Sequence, residues 1–123
     1  MNRLNVVIAS RDATVSSHLA DSLNRHFRSI FVARSGDEIR DAIARYRASI
    51  AIVDLETADL KQVQELCNEF KQTQVVCTHR IPDEEMWAGA LAAGAIDCCH
   101  NSDAAGIVDS LKRNLRLAQS KAA

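Results

Sequence analysis

The sequence predicts an α/β fold, a parallel five-stranded sheet covered by helices on both faces. Three observations carry that prediction. Short β-branched runs alternate with segments of helical period five times along the chain. Several of the runs are almost continuously apolar, the pattern of strands buried on both faces rather than one. Gly36, Pro82 and Gly94 fall at junctions between the two kinds of segment, where turns and caps belong.

The first strand is Leu4-Asn5-Val6-Val7-Ile8-Ala9. Val15, Leu19, Leu23 and Phe27 then recur at i, i+4, i+8 and i+12, one apolar stripe of a helix. Ile30-Phe31-Val32-Ala33 makes the second strand, closed by Ser35-Gly36, and Ile39, Ala42, Ile43 and Tyr46 face inward from the second helix. The third strand, Ile50-Ala51-Ile52-Val53, ends at Asp54, and Leu60, Val63, Leu66, Cys67 and Phe70 give the third helix. Val75-Val76-Cys77-Thr78 is the fourth strand. After Pro82, Asp83-Glu84-Glu85 puts three acids in the first turn of the fourth helix, where they complement its dipole. Gly94 caps that helix. The fifth strand runs from Ala95 to Cys99. Ser102-Asp103 opens the last helix, striped by Ile107, Val108, Leu111, Leu115 and Ala118. Strict alternation with right-handed crossovers, repeated as (βα)5, fits the flavodoxin-like doubly wound order 2-1-3-4-5. No linker or low-complexity tract divides residues 1–123, so a single domain is expected.

Composition narrows the function classes. At 47% apolar and 25% charged residues the chain matches an ordinary globular domain. No apolar run approaches the roughly 18 residues of a membrane helix, and the first ten residues lack a secretory pattern. A cytoplasmic protein without membrane contact is expected. The net charge of −1 argues against nucleic acid as partner. Residues 1–50 carry eight Arg against five acids, scattered over helix faces as solvated surface. The four cysteines, Cys67, Cys77, Cys98 and Cys99, read as reduced thiols acting as small apolar residues.

In an open parallel sheet, sites form beyond the carboxyl ends of the strands. The residues there are Ala9, Ser10, Arg11 and Asp12, then Asp54, Thr78, and His100-Asn101. Three segments in this frame resemble the receiver domain of bacterial response regulators, the CheY-like fold of two-component signalling. Ile50-Ala-Ile-Val-Asp54-Leu is similar to the third strand that ends in the phosphoacceptor aspartate. Val75-Val-Cys-Thr78 is similar to the fourth strand with its hydroxyl switch residue. Ala90-Leu-Ala-Ala-Gly94-Ala95-Ile-Asp97 is similar to the passage from helix four into strand five.

The resemblance implies Asp54 as phosphoacceptor and Thr78 as switch, with Ser10, Asp12, Glu56 and Asn101 at the periphery of the site. It also marks departures. The pair of Mg²⁺-holding acids after strand one falls on Ala9-Ser10, the lysine after strand five on Asn101, and the aromatic switch on Cys98. The loop after Asp54 is short and lacks a Pro-Gly turn. Phosphoryl transfer to a carboxylate brings anion against anion, about 4 kcal/mol at 4 Å and an effective dielectric of about 20. Countercharge from a metal and a lysine is therefore central to the chemistry.

Other residues carry plainer readings. Asp54 also reads as a solvated strand-end acid and Thr78 as a β-branched strand residue. Cys77 with His79, and Cys98 with His100, share strand faces in a way that could form a zinc site. Packed strands favour buried thiols instead, so no metal is expected there. Trp87 and Leu115 are output-face candidates, on helix four and helix five.

The reading is a non-enzymatic, degenerate receiver acting through protein–protein contact with a histidine kinase or downstream effector. Helix four, strand five and helix five would also supply any homodimer face. No cofactor is expected, Mg²⁺ entering only with retained phosphorylation. Two alternatives stay open: a working receiver with substitute ligands such as Asp12 or Glu56, and a small-ligand flavodoxin-like domain. The second lacks a glycine-rich phosphate loop after strand one.

Overall fold

Strand and helix alternate along the whole chain in the computed structural model, which describes residues 3–122, with side chains through Leu115. The elements are β1 (Asn5–Ala9), α1 (Ala13–Leu23), β2 (Ser29–Ala33), α2 (Gly36–Tyr46) and β3 (Ile50–Asp54). They continue with α3 (Leu60–Glu69), β4 (Gln74–His79), α4 (Glu84–Ala93), β5 (Asp97–His100) and α5 (Ala104–Ala122). All strand pairs are parallel and the order is β2-β1-β3-β4-β5, as the sequence predicts. Ala118, placed on the last stripe, lies outside the residues whose side chains are described.

The period of two along each strand splits the interior into two cores. Val7, Ala9, Ala51, Val53, Val75 and Cys77 face one side with Ile39, Ile43, Val63, Leu66 and Ala90 from α2, α3 and α4. Val6, Ile8, Ile50, Ile52 and Val76 face the other with Leu19, Leu23, Ile107 and Leu111 from α1 and α5. Burial on both faces explains why these strands read as apolar runs rather than as alternations.

Several strand ends shift by a residue or two from expectation, and two boundary changes have a clear local cause. The first helix stops at Leu23, and a tighter turn from Leu23 O to His26 N–H follows. Phe27 reaches the core from that turn, held by the Arg28 N–H to Leu4 O bond, so it is buried without being helical. The fifth strand begins at Asp97 rather than Ala95. Gly94 N–H bonds to Leu91 O and Ala95 N–H to Ala90 O, which uses Ala95 to finish the helix. Asp83 is the N-cap of α4 and accepts from Met86 N–H, leaving Glu84 and Glu85 in the first turn.

Gly94 sits at φ 110°, in the left-handed region open to glycine. A Cβ there meets the Cβ of Cys67 at 2.8 Å. Gly94→Ala is therefore strained by backbone and by contact. We expect a loss of about 1–3 kcal/mol in stability, read as a lower urea midpoint at unchanged slope.

Candidate functional site

Four strand-end positions share the α1/α5 side of the sheet. Ser10 follows Ile8, Asp54 follows Ile52, Thr78 follows Val76 and Asn101 follows Cys99, each two residues beyond a side chain of that core. The register pairs Asp54 with Thr78 directly. All four residues are buried, Asp54 at 5% exposure and Thr78 at 1%.

A buried carboxylate requires hydrogen-bond donors. The Ser10 hydroxyl donates to Asp54 Oδ2 at 3.0 Å, and the Glu56 N–H donates to Oδ1 at 3.0 Å. The Thr57 hydroxyl stands 3.5 Å from Oδ2. The Asp54 carbonyl accepts from the Thr57 and Ala58 N–H groups, which closes the short β3–α3 loop tightly over the carboxylate. Thr78 O accepts from Leu55 N–H at 2.9 Å. Asn101 is fixed by its own N–H to His79 O.

The expected metal positions need correction. Ala9 is the last residue of β1, in register with Ala33 and Val53, and its methyl lies in the α2/α3/α4 core. The two residues that open toward the site are therefore Ser10 and Arg11, one position later than the apolar run indicates. The Arg11 N–H donates to the Thr57 hydroxyl at 2.9 Å, and its guanidinium donates to the Glu56 carbonyl oxygen.

The acids named as substitute ligands are engaged elsewhere. Asp12 is the N-cap of α1 and accepts from Thr14 and Val15 N–H. The Glu56 carboxylate turns to the β4–α4 loop, 2.8 Å from Arg80 Nε and 3.5 Å from His79 Nε2. The hydrogen bond from Arg80 holds the Glu56 carboxyl below its usual range, against a smaller effect of burial. The same bond strengthens the hold of Arg80 on its proton, and Asp12 and Asp54 add to it by proximity. Thr57, His79 and Arg80, with Arg11 given more than its place beyond β1, thus join a site that the sequence builds from Ser10, Asp12, Asp54, Glu56, Thr78 and Asn101. Their only signal in the sequence is position, each within three residues of a strand end.

Mg²⁺ demands near-octahedral oxygen coordination, usually with carboxylates and water. Here a hydroxyl and a guanidinium follow β1, and the Glu56 carbonyl is already bonded to that guanidinium. These residues do not fit the ion.

The zinc constellation is not assembled either. Cys77 and Cys98 are register partners beneath the helices, in the same core. His79 Nδ1 accepts from Ile81 N–H and His100 Nδ1 from Ser102 N–H. Burial pushes the Cys77 thiol far up, and burial with the charge of Asp97 pushes Cys99 up to about 12. Among the described residues no group of three or more His, Cys, Asp or Glu is placed to hold a metal.

A second polar centre joins the face formed by α4, β5 and α5. The Asp97 carboxylate accepts from Trp87 Nε1 at 3.1 Å, from Cys98 N–H at 2.8 Å and from the Ser110 hydroxyl. Trp87, 47% exposed, is therefore an indole laid on the surface and pinned by its N–H. Leu115 is half-buried further along α5. A cleft of about 630 Å³ runs beside this centre, between Asp97, His100, Asp103, Ser110 and Arg113, and away from Asp54.

Burial raises the Asp97 pKa, but the bonds from Ser110, Cys98 N–H and Trp87 outweigh it, and the carboxyl lies below its ordinary 3.8. A depressed folded-state pKa contributes stability that is complete above the unfolded value and lost as pH falls through the folded one. Asp97→Asn should cost about 1–2 kcal/mol at neutral pH, toward the low end because solvent screens a half-exposed group. The gap between parent and variant, measured by urea melts, should hold down to roughly pH 5 and narrow below 3.8.

No protein-family model matches the sequence, and no curated protein matches it. Solved structures do. The isolated REC domain of RcsB from Salmonella enterica serovar Typhimurium, determined with phosphomimetic BeF3⁻, aligns at TM-score 0.79 and 14% identity over 91% of this chain and 90% of its own. A response regulator from Thermotoga maritima aligns at 0.80 and 16%, over 90% and 96%. A response regulator protein from Burkholderia pseudomallei, with a phosphorylated aspartic acid, a calcium ion and citrate, aligns at 0.80 and 18%, over 98% and 73%. The likeness spans nearly the whole chain in each case. The five-stranded architecture described here is the receiver fold of response regulators.

Proposed function

We propose that this chain is a receiver-type signalling domain that works through protein–protein contact, with phosphorylation at Asp54 weakened or lost. One observation carries the reading: Asp54 ends the third strand, where the resemblance to receivers implies a phosphoacceptor, yet it is buried and bonded by neutral donors. The metal-holding acids are replaced by Ser10 and Arg11, and the lysine position holds Asn101, which donates hydrogen bonds but brings no charge. A histidine kinase or a downstream effector is the partner class, met in the cytoplasm. Among the described residues no helix is long and apolar enough to cross a membrane.

With Mg²⁺ and acetyl phosphate, intact-mass measurement should show little or no phosphoryl adduct on the parent. The triple variant Ser10→Asp, Arg11→Asp, Asn101→Lys restores acids and cation and should label, with a further Asp54→Asn change removing the label. The groups act together, so single changes should give little. Ready labelling of the parent at Asp54 would overturn the reading, and a folded but unlabelled triple variant would place the defect in the short β3–α3 loop.

Contact through α4, β5 and α5 rests on the exposed Trp87 and the half-buried Leu115. Trp87→Ala and Leu115→Glu should each weaken self-association by about tenfold or more, the size of a modest hot spot, in sedimentation equilibrium. Unchanged association in both variants would move the interface to the arginine-bearing side of α1 and α2.

A further inference from the structure

The cation of the Asp54 site is built into the chain: we propose that Arg11 is a tethered substitute for a divalent metal, so that the site keeps its arrangement without one and rejects one. This deepens, and rests on, the receiver-type reading above. Three observations converge on Arg11. It follows Ser10, whose hydroxyl is bonded to Asp54, so it leaves β1 at the mouth of the site. Its guanidinium holds the Glu56 carbonyl, an oxygen directed outward from the same residue whose N–H holds Asp54 Oδ1. Its own N–H holds the Thr57 hydroxyl, which stands beside Asp54 Oδ2.

The β3–α3 loop is thereby tied to the end of β1 from both its backbone and its side-chain oxygens. A hard divalent ion placed there would use the Asp54 carboxylate and the Glu56 carbonyl, the oxygens that Ser10 and Arg11 already satisfy. It would also meet the charge of Arg11, with Arg80 across the loop on Glu56. A guanidinium suits the role because it stays charged and presents several donors in a fixed fork. The arrangement differs from a metal in one physical respect. The positive charge is always present, on the Glu56 carbonyl beside Asp54, and its position is set by the fold, not by ion concentration.

Mn²⁺ reports on the site without requiring phosphoryl transfer. Electron paramagnetic resonance of free Mn²⁺ should show no saturable binding to the parent or to Arg11→Lys at millimolar metal. Arg11→Asp should bind at least tenfold more tightly than the parent, and Asp54→Asn in that background should abolish the gain. In the parent, added MgCl₂ should leave the melting temperature unchanged. In Arg11→Ala, exposed at the surface and so safe for folding, the Glu56 and Thr57 amides should exchange hydrogen severalfold faster. Mn²⁺ binding by the parent equal to that of Arg11→Asp overturns the proposal, and so does the lack of any gain in Arg11→Asp together with unchanged exchange in Arg11→Ala. Labelling of the parent by acetyl phosphate in EDTA would defeat the weakened-phosphorylation reading while leaving Arg11 as the built-in cation. Metal binding by the parent would defeat the cation assignment whatever the labelling shows.

Discussion

The buried carboxylate at the end of the central strand sets the terms for everything around it. Asp54 is the last residue of β3, flanked by β1 and β4, so its side chain leaves the sheet where three strand ends meet. Removing a carboxylate from water costs several kcal/mol unless donors replace the hydration shell. The donors available there come from the residue after β1 and from the loop after β3, because those backbones already lie within reach. Ser10 and the Glu56 N–H meet that need, and the tight β3–α3 turn follows from it. Arg11 then has little freedom. Its backbone is fixed by the Ser10 bond behind it and the Asp12 cap ahead, and its side chain falls on the loop it crosses.

The architecture was legible because burial on both faces leaves a strong pattern. Val6, Val7 and Ile8 serve two different cores, and so do Ile50, Ala51 and Ile52, which makes a run of apolar residues unavoidable in a central strand. Helix stripes such as Ile39 and Ile43 need cover on one side only and show the 3.6-residue period. Boundaries were less legible for local reasons. Phe27 continues the spacing of the α1 stripe, yet it enters the core from a turn, and periodicity does not distinguish those two routes. Ala95 is apolar like a strand residue but its N–H completes the α4 cap.

The site was legible as far as strand alternation reaches. Ser10, Asp54, Thr78 and Asn101 sit two residues past core side chains, so the sheet alone decides which way they face. Ala9 shows the same rule correcting a misplacement, since its parity turns it into the opposite core. Arg11, Thr57 and Arg80 lie in loops, where direction depends on hydrogen bonds between segments far apart in sequence. Arg11 to Glu56 spans 45 residues and Arg80 to Glu56 spans 24. No local pattern encodes such pairings, and a long basic side chain in a loop reads as solvated surface until its partner is known.

A metal ion and a guanidinium can each hold a loop by its carbonyl oxygens, as Arg11 holds that of Glu56, but they differ in what the site can report. An exchangeable ion of charge two couples the loop to solution and to any phosphoryl group that shares the ion. A covalently attached ion of charge one couples the loop to β1 and α1, which are parts of the same fold. With Arg11 in that role, ligand chemistry at Asp54 has less leverage on the loop, because the loop's bonds to Ser10 and Arg11 would have to break first. The polar centre at Asp97 is built in the same manner, with Trp87 of α4 and Ser110 of α5 drawn onto one β5 carboxylate. Both carboxylates are therefore held by internal donors. The face bearing Trp87 thus presents an exposed aromatic whose position is set by its own N–H on Asp97.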